Sequence, residues 1–487
     1  MKKIQILFFA IGIIALGGCK KYLTEEVQGS LLGSGALSSQ QGLEAALTGA
    51  YAGIENTWST GFIHATAIGA TMGGDDITTH KASNKADFRQ FDQFDVTSTN
   101  QRTQALYSGC YKTIQGANNI IANYKTTAGD AAIIKSIAGE AYLLRGFSYY
   151  WLVRLYGKIP LMTNPNFADS LLTIHSSQPA VVYALIESDL TTAATLLPTN
   201  KRDPGRPNKG TALAYLADVY LTEGGWPIKD PTKYALAAAT AKEVINDSKL
   251  YGFHLVPTYA ELWANNPATN GTSETVFQLS TFLGVGSTTN ANYGASAMPG
   301  EEGGWDDFFS ELNFYRNFPS GPRKDATFDT LFTMGNGSKL PYQQSQTQHP
   351  YYKKYYQFNN NSNWNSSTPE CLMRYAYILT IYAEAQARAT GMPDELAYQC
   401  INSIRLRAGE APLAGLSGPD FAAAVVQEKA WEFAAERYRW FDLVRLEMVE
   451  QANANKDPND LQPIGPITKS DYTFPLPYSE TSVNPNL

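Results

Sequence analysis

The 487-residue chain carries a net charge of −7 and no dense Lys/Arg block, which argues against a nucleic-acid partner because phosphate binding needs clustered cations. Its four cysteines and five scattered histidines (His64, His80, His175, His254 and His349), without an HExxH or a close pair, describe neither a disulfide-stapled nor a zinc-clipped fold and lend no support to metal catalysis. The ordinary apolar content describes a soluble globular body long enough for several domain-sized cores.

The N-terminus has the layout of an export signal. Lys2 and Lys3 precede an apolar run from Ile4 to Leu16, and Gly17 and Gly18 stand before Cys19. The run is shorter than the roughly 20 residues a membrane-spanning helix needs, so cleavage is expected and a permanent transmembrane anchor is not. "LGGC" at 16–19 resembles a bacterial lipobox. That resemblance implies removal of residues 1–18 and lipidation of Cys19, whose thiol is nucleophilic enough at neutral pH to accept an acyl chain. Each buried methylene contributes about 0.8 kcal/mol, and several chains hold where one would not. The mature protein is therefore expected to sit on a membrane without spanning it. Cys110, Cys371 and Cys400 then remain, enough for one disulfide at most.

Residues 19–37 read as a tether, and residues 38–250 as a first helical part. In "SSQQGLEAALTGAYAGI", Leu43, Ala46, Leu47, Ala50, Tyr51 and Ile54 recur at three- and four-residue steps, and Ser38 and Gln41 are spaced as a capping box. A second helix is predicted from near Gln104. A third runs through "SIAGEAYLLRGFSYYWLVRLYG", with Ile137, Ala141, Leu144, Ser148, Leu152 and Leu155 on one face and Gly157 and Pro160 ending it. Further helices follow in "VVYALIESDLTTAATLL", "GTALAYLADVYLTEG" and "KYALAAATAKEVINDS". Small residues recur on paired helices, a pattern of tetratricopeptide-like hairpins in which two backbones approach closely. Residues 251–370 turn to Gly, Asn, Ser and Thr with isolated aromatics, predicting loops and short elements. Helical texture returns over 371–487, which closes on a Pro-rich extended tail.

Glu140, Arg145, Glu384, Arg405, Arg407, Glu436, Arg437, Arg439, Asp442 and Arg445 form dense charged motifs on strongly periodic helices. Opposite charges at such spacing pair and fix helix register, whereas catalytic groups favour loops on a rigid scaffold. "GRPNKGTA" at 205–212 lacks the Lys-Ser/Thr pair of a phosphate loop, and no GxSxG nucleophile elbow occurs.

Four stretches together resemble the SusD/RagB family of outer-membrane lipoproteins: "GEAYLLRGFSYYWLVRLYGKIPL" at 139–161, "AEAQARATG" with "INSIRLRAG" within 383–409, "ERYRWFDLVR" at 436–445 and "PLPYSETSVNP" at 475–485. The resemblance implies a mainly α fold, with four tetratricopeptide-like hairpins supporting a loop-rich lobe that presents the ligand site. It also implies a nutrient-capturing protein, most often for glycans, that caps a SusC-like TonB-dependent outer-membrane transporter and needs no cofactor. The alternatives are a glycoside hydrolase on the same sugars and a tetratricopeptide-type scaffold that recruits proteins.

Sugar capture needs a flat ring against the apolar face of a pyranose, with carboxylates or amides reading hydroxyls at the rim. Aromatic residues make up 12% of the chain, 29 of them tyrosine, so such rings are plentiful. Trp305 with Asp306 and Asp307, on a Gly-rich loop, fits best, and Tyr315 and Arg316 follow closely. The family's "W..lY..I..aN" helix places Tyr107 where relatives carry a tryptophan that contributes to the site, ahead of Tyr111, Ile114 and Asn118. Asp75 and Asp76 in "GGDDI" precede this helix and are expected at the rim. A hydrolase needs two carboxylates facing each other across a sugar, which adjacency in sequence neither provides nor excludes.

Overall fold

The computed structural model describes residues 33–55, 66–165, 172–263, 272–280, 293–356 and 370–487. Cys19 and the export signal lie outside the described residues. Helices of eight residues or more are α1 (Gln40–Ile54), α2 (Gln101–Asn123), α3 (Ala131–Tyr156), α4 (Pro179–Leu196), α5 (Lys209–Glu223), α6 (Lys233–Asn246), α7 (Tyr375–Thr390), α8 (Glu395–Arg407), α9 (Gly418–Glu432) and α10 (Tyr438–Arg445). No helix among the described residues is long and apolar enough to cross a membrane.

Side-chain oxygens set where the helices begin. The capping box expected at Ser38 and Gln41 does not form: Ser38 closes the preceding turn by donating to Gly35 O at 2.8 Å, and Ser39 is the cap, its Oγ accepting from Gly42 N at 3.2 Å, with glycine at the position that a box would need a side chain for. Asn100 caps α2 by accepting from Arg102 N and Thr103 N, so the helix starts three residues ahead of the expected Gln104. Its polar first turn adds nothing to the apolar stripe from which the start was read. All six residues expected on one face of α3 are buried, together with most of the rest of that helix. The reason is packing on several sides, since α1, α2, α4 and α5 all touch α3.

The helices pair in sequence, α1 with α2, α3 with α4, α5 with α6, and α7 with α8 and α9. These pairs stack through α2 on α3, α4 on α5 and α6 on α7, giving a tetratricopeptide-like array. Close approach depends on small residues: a Cβ added to Gly116 of α2 would lie 2.9 Å from the Ala50 Cβ of α1.

The dense charges of the sequence become buried ion pairs. Arg145 donates to Asp189 from Nε (2.8 Å) and Nη2 (2.7 Å), and to Asn118 Oδ1 from Nη1 (2.8 Å), tying α2, α3 and α4 together. Arg445 grips Glu384 at 2.8 and 2.6 Å, fastening α10 to α7. Arg374 reaches Glu436, Glu274 and Glu432 at 2.7–2.9 Å. Such pairs add little net stability, yet loss of one partner costs about 3–5 kcal/mol. They specify which helix meets which.

Between α6 and α7 the described residues form only short elements. Among the described residues three two-stranded antiparallel ladders occur: β1 (Ile77–Thr78) with β3 (Phe309–Ser310), β2 (Thr275–Leu279) with β6 (Glu370–Arg374), and β4 (Leu331–Thr333) with β5 (Lys339–Pro341). Ring packing holds this lobe together, with Tyr351 against Phe309 (5.1 Å) and Phe332 (5.3 Å), and Phe328 against Tyr352 (5.2 Å). The β1–β3 ladder matters most for the site, because it carries the Asp75–Asp76 segment to the lobe.

Candidate functional site

The segment before β1 threads a narrow passage. A Cβ on Gly73 would stand 2.5 Å from the Trp440 ring, so only glycine fits there. Asp76 lies 1% exposed. Its Oδ2 accepts from Ala435 N at 2.8 Å, while its carbonyl accepts from Tyr352 OH at 2.5 Å. Burial pushes its carboxyl up to about 7, against the Ala435 hydrogen bond, and the neighbouring Asp75 charge adds to the rise. Asp76 therefore fastens the loop and offers nothing to a ligand. Asp75 differs: it accepts from Arg439 Nε (2.5 Å) and Nη2 (2.7 Å), and lines an open cleft of about 530 Å³.

The walls of this cleft are the short helix Leu312–Asn317, the last turn of α9, the short helix Val449–Asn453 and the residues after it. Gln427 and Trp431 stand four residues apart on α9 and share a face. Asn317, Gln451 and Asn455 add three more carboxamides. The side chains of Asn317, Gln427, Gln451 and Asn455 make no hydrogen bond among the described residues, and all four are exposed. Trp431 is partly buried. Deeper in, Lys456 pairs with Glu311 at 2.6 Å and Asp92 at 2.5 Å. Burial drives the Glu311 carboxyl well up, although the Lys456 charge opposes it. The cleft therefore offers one indole, a set of unengaged amides and a carboxylate held by arginine. Such a surface suits a polyhydroxylated, uncharged ligand.

The other residues singled out in the sequence fall elsewhere. Trp305 is partly buried on the loop leading into β3, outside the lining of this cleft, and its backbone N–H donates to Ala295 O at 2.8 Å. Asp306 has φ 53° and closes that loop by accepting from Gly300 N (2.7 Å) and Tyr351 OH (2.5 Å). Asp307, 3% exposed, pairs with Lys85. Tyr315 shares the short helix with Asn313, Phe314 and Asn317 of the cleft, but its ring packs on Phe328 (5.1 Å) and Tyr342 (5.6 Å). Arg316 pairs with Asp457. Tyr107 is 3% exposed and packs 4.6 Å from Tyr111 and 5.4 Å from Tyr156, so the residue expected to contribute a stacking face to the site holds a core position. The rest of that motif is structural too: Tyr111 OH donates to Pro160 O at 2.8 Å and Asn118 Nδ2 to Met162 O at 2.7 Å.

Trp431 escaped the sequence reading because it lies inside an evidently helical run. A signal was present. On α9 the buried residues include Phe421, Ala422, Val425, Val426 and Ala430, Asp420 and Gln427 are exposed, and Trp431 follows them on the same stripe, partly buried against the edge of the core. A tryptophan on the polar stripe of a helix asks for a partner.

Two family models match the chain: one described as "SusD family" over residues 309–487, and one described as "Starch-binding associating with outer membrane" over residues 21–221. The chain is 29% identical to SusD-like protein P2 of Formosa agariphila over 523 residues, spanning 100% of this chain and 99% of that relative. A SusD superfamily protein of Parabacteroides distasonis has the same fold, with a TM-score of 0.80 at 22% identity over 92% of this chain and 98% of that one. Surface glycan-binding protein A of Bacteroides uniformis aligns with a TM-score of 0.76 at 22% identity, over 92% and 99% of the two chains.

Proposed function

Given that the chain belongs to the SusD/RagB family, we propose that it is a noncatalytic glycan-binding protein that holds an oligosaccharide in the Asp75–Trp431 cleft. The observation that carries this reading is the partly buried Trp431 ring beside Gln427, Gln451, Asn317 and Asn455, whose amides are unengaged. A pyranose face stacks on the indole, and each amide supplies both a donor and an acceptor for hydroxyls. The matching family model described as starch-binding and the structural neighbour named as a surface glycan-binding protein support the same ligand class.

Both carboxylates lining the cleft are engaged, Asp75 by Arg439 and Glu311 by Lys456. Glu311 is also 2% exposed. That favours binding over hydrolysis, which needs an acid and a base free to face the scissile bond. Trp305, with its ring partly exposed on a separate loop, is a second candidate platform. In this reading a lipid on Cys19 holds the mature protein on the outer membrane, facing outward. From there it passes its ligand to a SusC-like TonB-dependent transporter. A shallow, open cleft fits a ligand that has to be released.

Calorimetric titration with a panel of neutral oligosaccharides, combined with a reducing-end assay, tests the proposal. Saturable heat without new reducing ends is expected. New reducing ends would make the protein a hydrolase, and no heat from any glycan would favour a protein-recruiting scaffold.

A further inference from the structure

A second cleft, of about 670 Å³, opens where the segment before α5 meets the residues after α6 and the start of β2. Its lining combines Asn200, Lys201, Lys249, Leu250, Thr272 and Ser273. Lys201 decides what it can hold. The ammonium donates to Thr275 O at 2.9 Å and lies 5.4 Å from the Phe253 ring centroid, yet no carboxylate stands within ion-pair distance of it among the described residues.

Its neighbours differ. Arg202 and Arg206 both pair with Glu44 and Glu140, and Lys209 pairs with Glu243 at 3.1 Å. Burial, opposed only by the nearby Cys371 thiol, brings the Lys201 ammonium down to about 8. A partly buried cation without a counter-ion loses hydration that nothing replaces, and an arriving anion relieves that cost. Lys249 adds a second positive charge to the lining, and Glu261, which accepts from Thr258 Oγ1 at 2.8 Å, is the carboxylate there.

We infer that this cleft is a second saccharide site, one that takes an acidic sugar residue with its carboxylate or sulfate on Lys201. The volume lies within the range of small-ligand pockets. Leu250 and Pro204 offer an apolar surface to the C–H face of a pyranose, and Asn200, Thr272 and Ser273 bring hydroxyl-reading groups alongside. An anionic group completes the set by taking the donors that Lys201 does not use. Its chemistry differs from the amide-lined cleft at Trp431, so the two sites together suit a polysaccharide of mixed neutral and acidic residues.

Sodium glucuronate, glucose 6-sulfate and methyl glucoside, each titrated calorimetrically into the full chain, test the inference. One or both acidic sugars are expected to bind at least about tenfold more tightly than the neutral glucoside, as a charge-assisted contact implies. Which of them binds identifies the anion. Lys201→Met is expected to abolish that preference and Lys201→Arg to retain it, with both variants melting as the parent does. Trp431→Ala should leave the affinity for the acidic sugar unchanged, so this site and the neutral-glycan cleft stand or fall separately. Equal binding of acidic and neutral sugars, or a preference that survives in a folded Lys201→Met variant, would overturn the inference. So would N-acetylglutamate binding as tightly as glucuronate.

Discussion

Arg439 holds Asp75 through two hydrogen bonds of 2.5 and 2.7 Å, joining residues 364 positions apart in the chain at the wall of the Trp431 cleft. The pair couples the segment before β1 to α10, so the cleft keeps its shape only while the N-terminal and C-terminal parts stay docked. Arg439 is 8% exposed, which places its guanidinium where a lost partner is felt.

Replacing Asp75 by asparagine keeps the shape and removes the charge. Asp75→Asn is expected to lower unfolding free energy by about 1.5–3 kcal/mol, the range for hydrogen bonds to charged groups. Urea denaturation measures it. An unchanged midpoint would mean the clamp contributes nothing to docking.

Glu432 gives the fold an acid limit. Burial alone would raise its carboxyl, but Arg407, Arg374 and Arg323 outweigh that and hold it at about 2, below its ordinary 4.5. A depressed folded value means that its contribution is complete above about 4.5 and is lost as pH falls toward 2. Glu432→Gln should cost about 3–5 kcal/mol at neutral pH by removing the carboxylate that Arg323, Arg374 and Arg407 share, although each keeps a second one in Glu428, Glu274 or Glu436. The penalty should shrink between pH 4.5 and 2, read from denaturant curves across that window. A constant penalty would assign the loss to packing.

Asp76 works in the opposite direction. Its folded carboxyl, raised by burial to about 7 from an ordinary 3.8, favours the neutral acid, so its stabilisation is complete below 3.8 and is lost as pH climbs through 7. Asp92 and Glu311 are also raised by burial, so the comparison that isolates Asp76 is wild type against Asp76→Asn. The asparagine variant, still able to accept from Ala435 N, should gain on wild type as pH goes from 4 to 8 in a series of thermal melts. Parallel melting curves would contradict the assignment.

Trp305→Ala separates two roles for the loop tryptophan. As a second sugar platform it should weaken oligosaccharide binding while melting as the wild type does. A lower melting temperature with intact affinity would make the ring a loop anchor, in line with Asp306 and Asp307, whose carboxylates both face inward.

The helical array was legible because apolar residues recur at three- and four-residue steps, most cleanly in α1, and because Gly157 marks the end of α3, whereas the caps at Ser39 and Asn100 were not. The charged motifs were legible as partners in kind but not in pairing: Arg145 meets Asp189, 44 residues on, and Arg445 meets Glu384, 61 residues back. Local spacing contains no such information. The cleft was hardest to read, since Asp75, Asn317, Gln427 and Gln451 come from four separate segments that meet only through packing and the β1–β3 ladder. Residues near Trp305 combine glycine with acidic groups, the look of an open binding loop, yet those carboxylates serve the loop itself. Asp75 alone of the expected acidic residues lines the cleft.

The proposed capture of neutral sugars depends on stacking at Trp431, and the measurement that reaches it most directly is the calorimetric affinity of Trp431→Ala for whichever neutral oligosaccharide binds the wild type. A loss of at least about tenfold, of the size expected for a central aromatic anchor, is expected at an unchanged melting temperature, with Trp431→Phe retaining most of the affinity. Full affinity in a folded Trp431→Ala protein would contradict it.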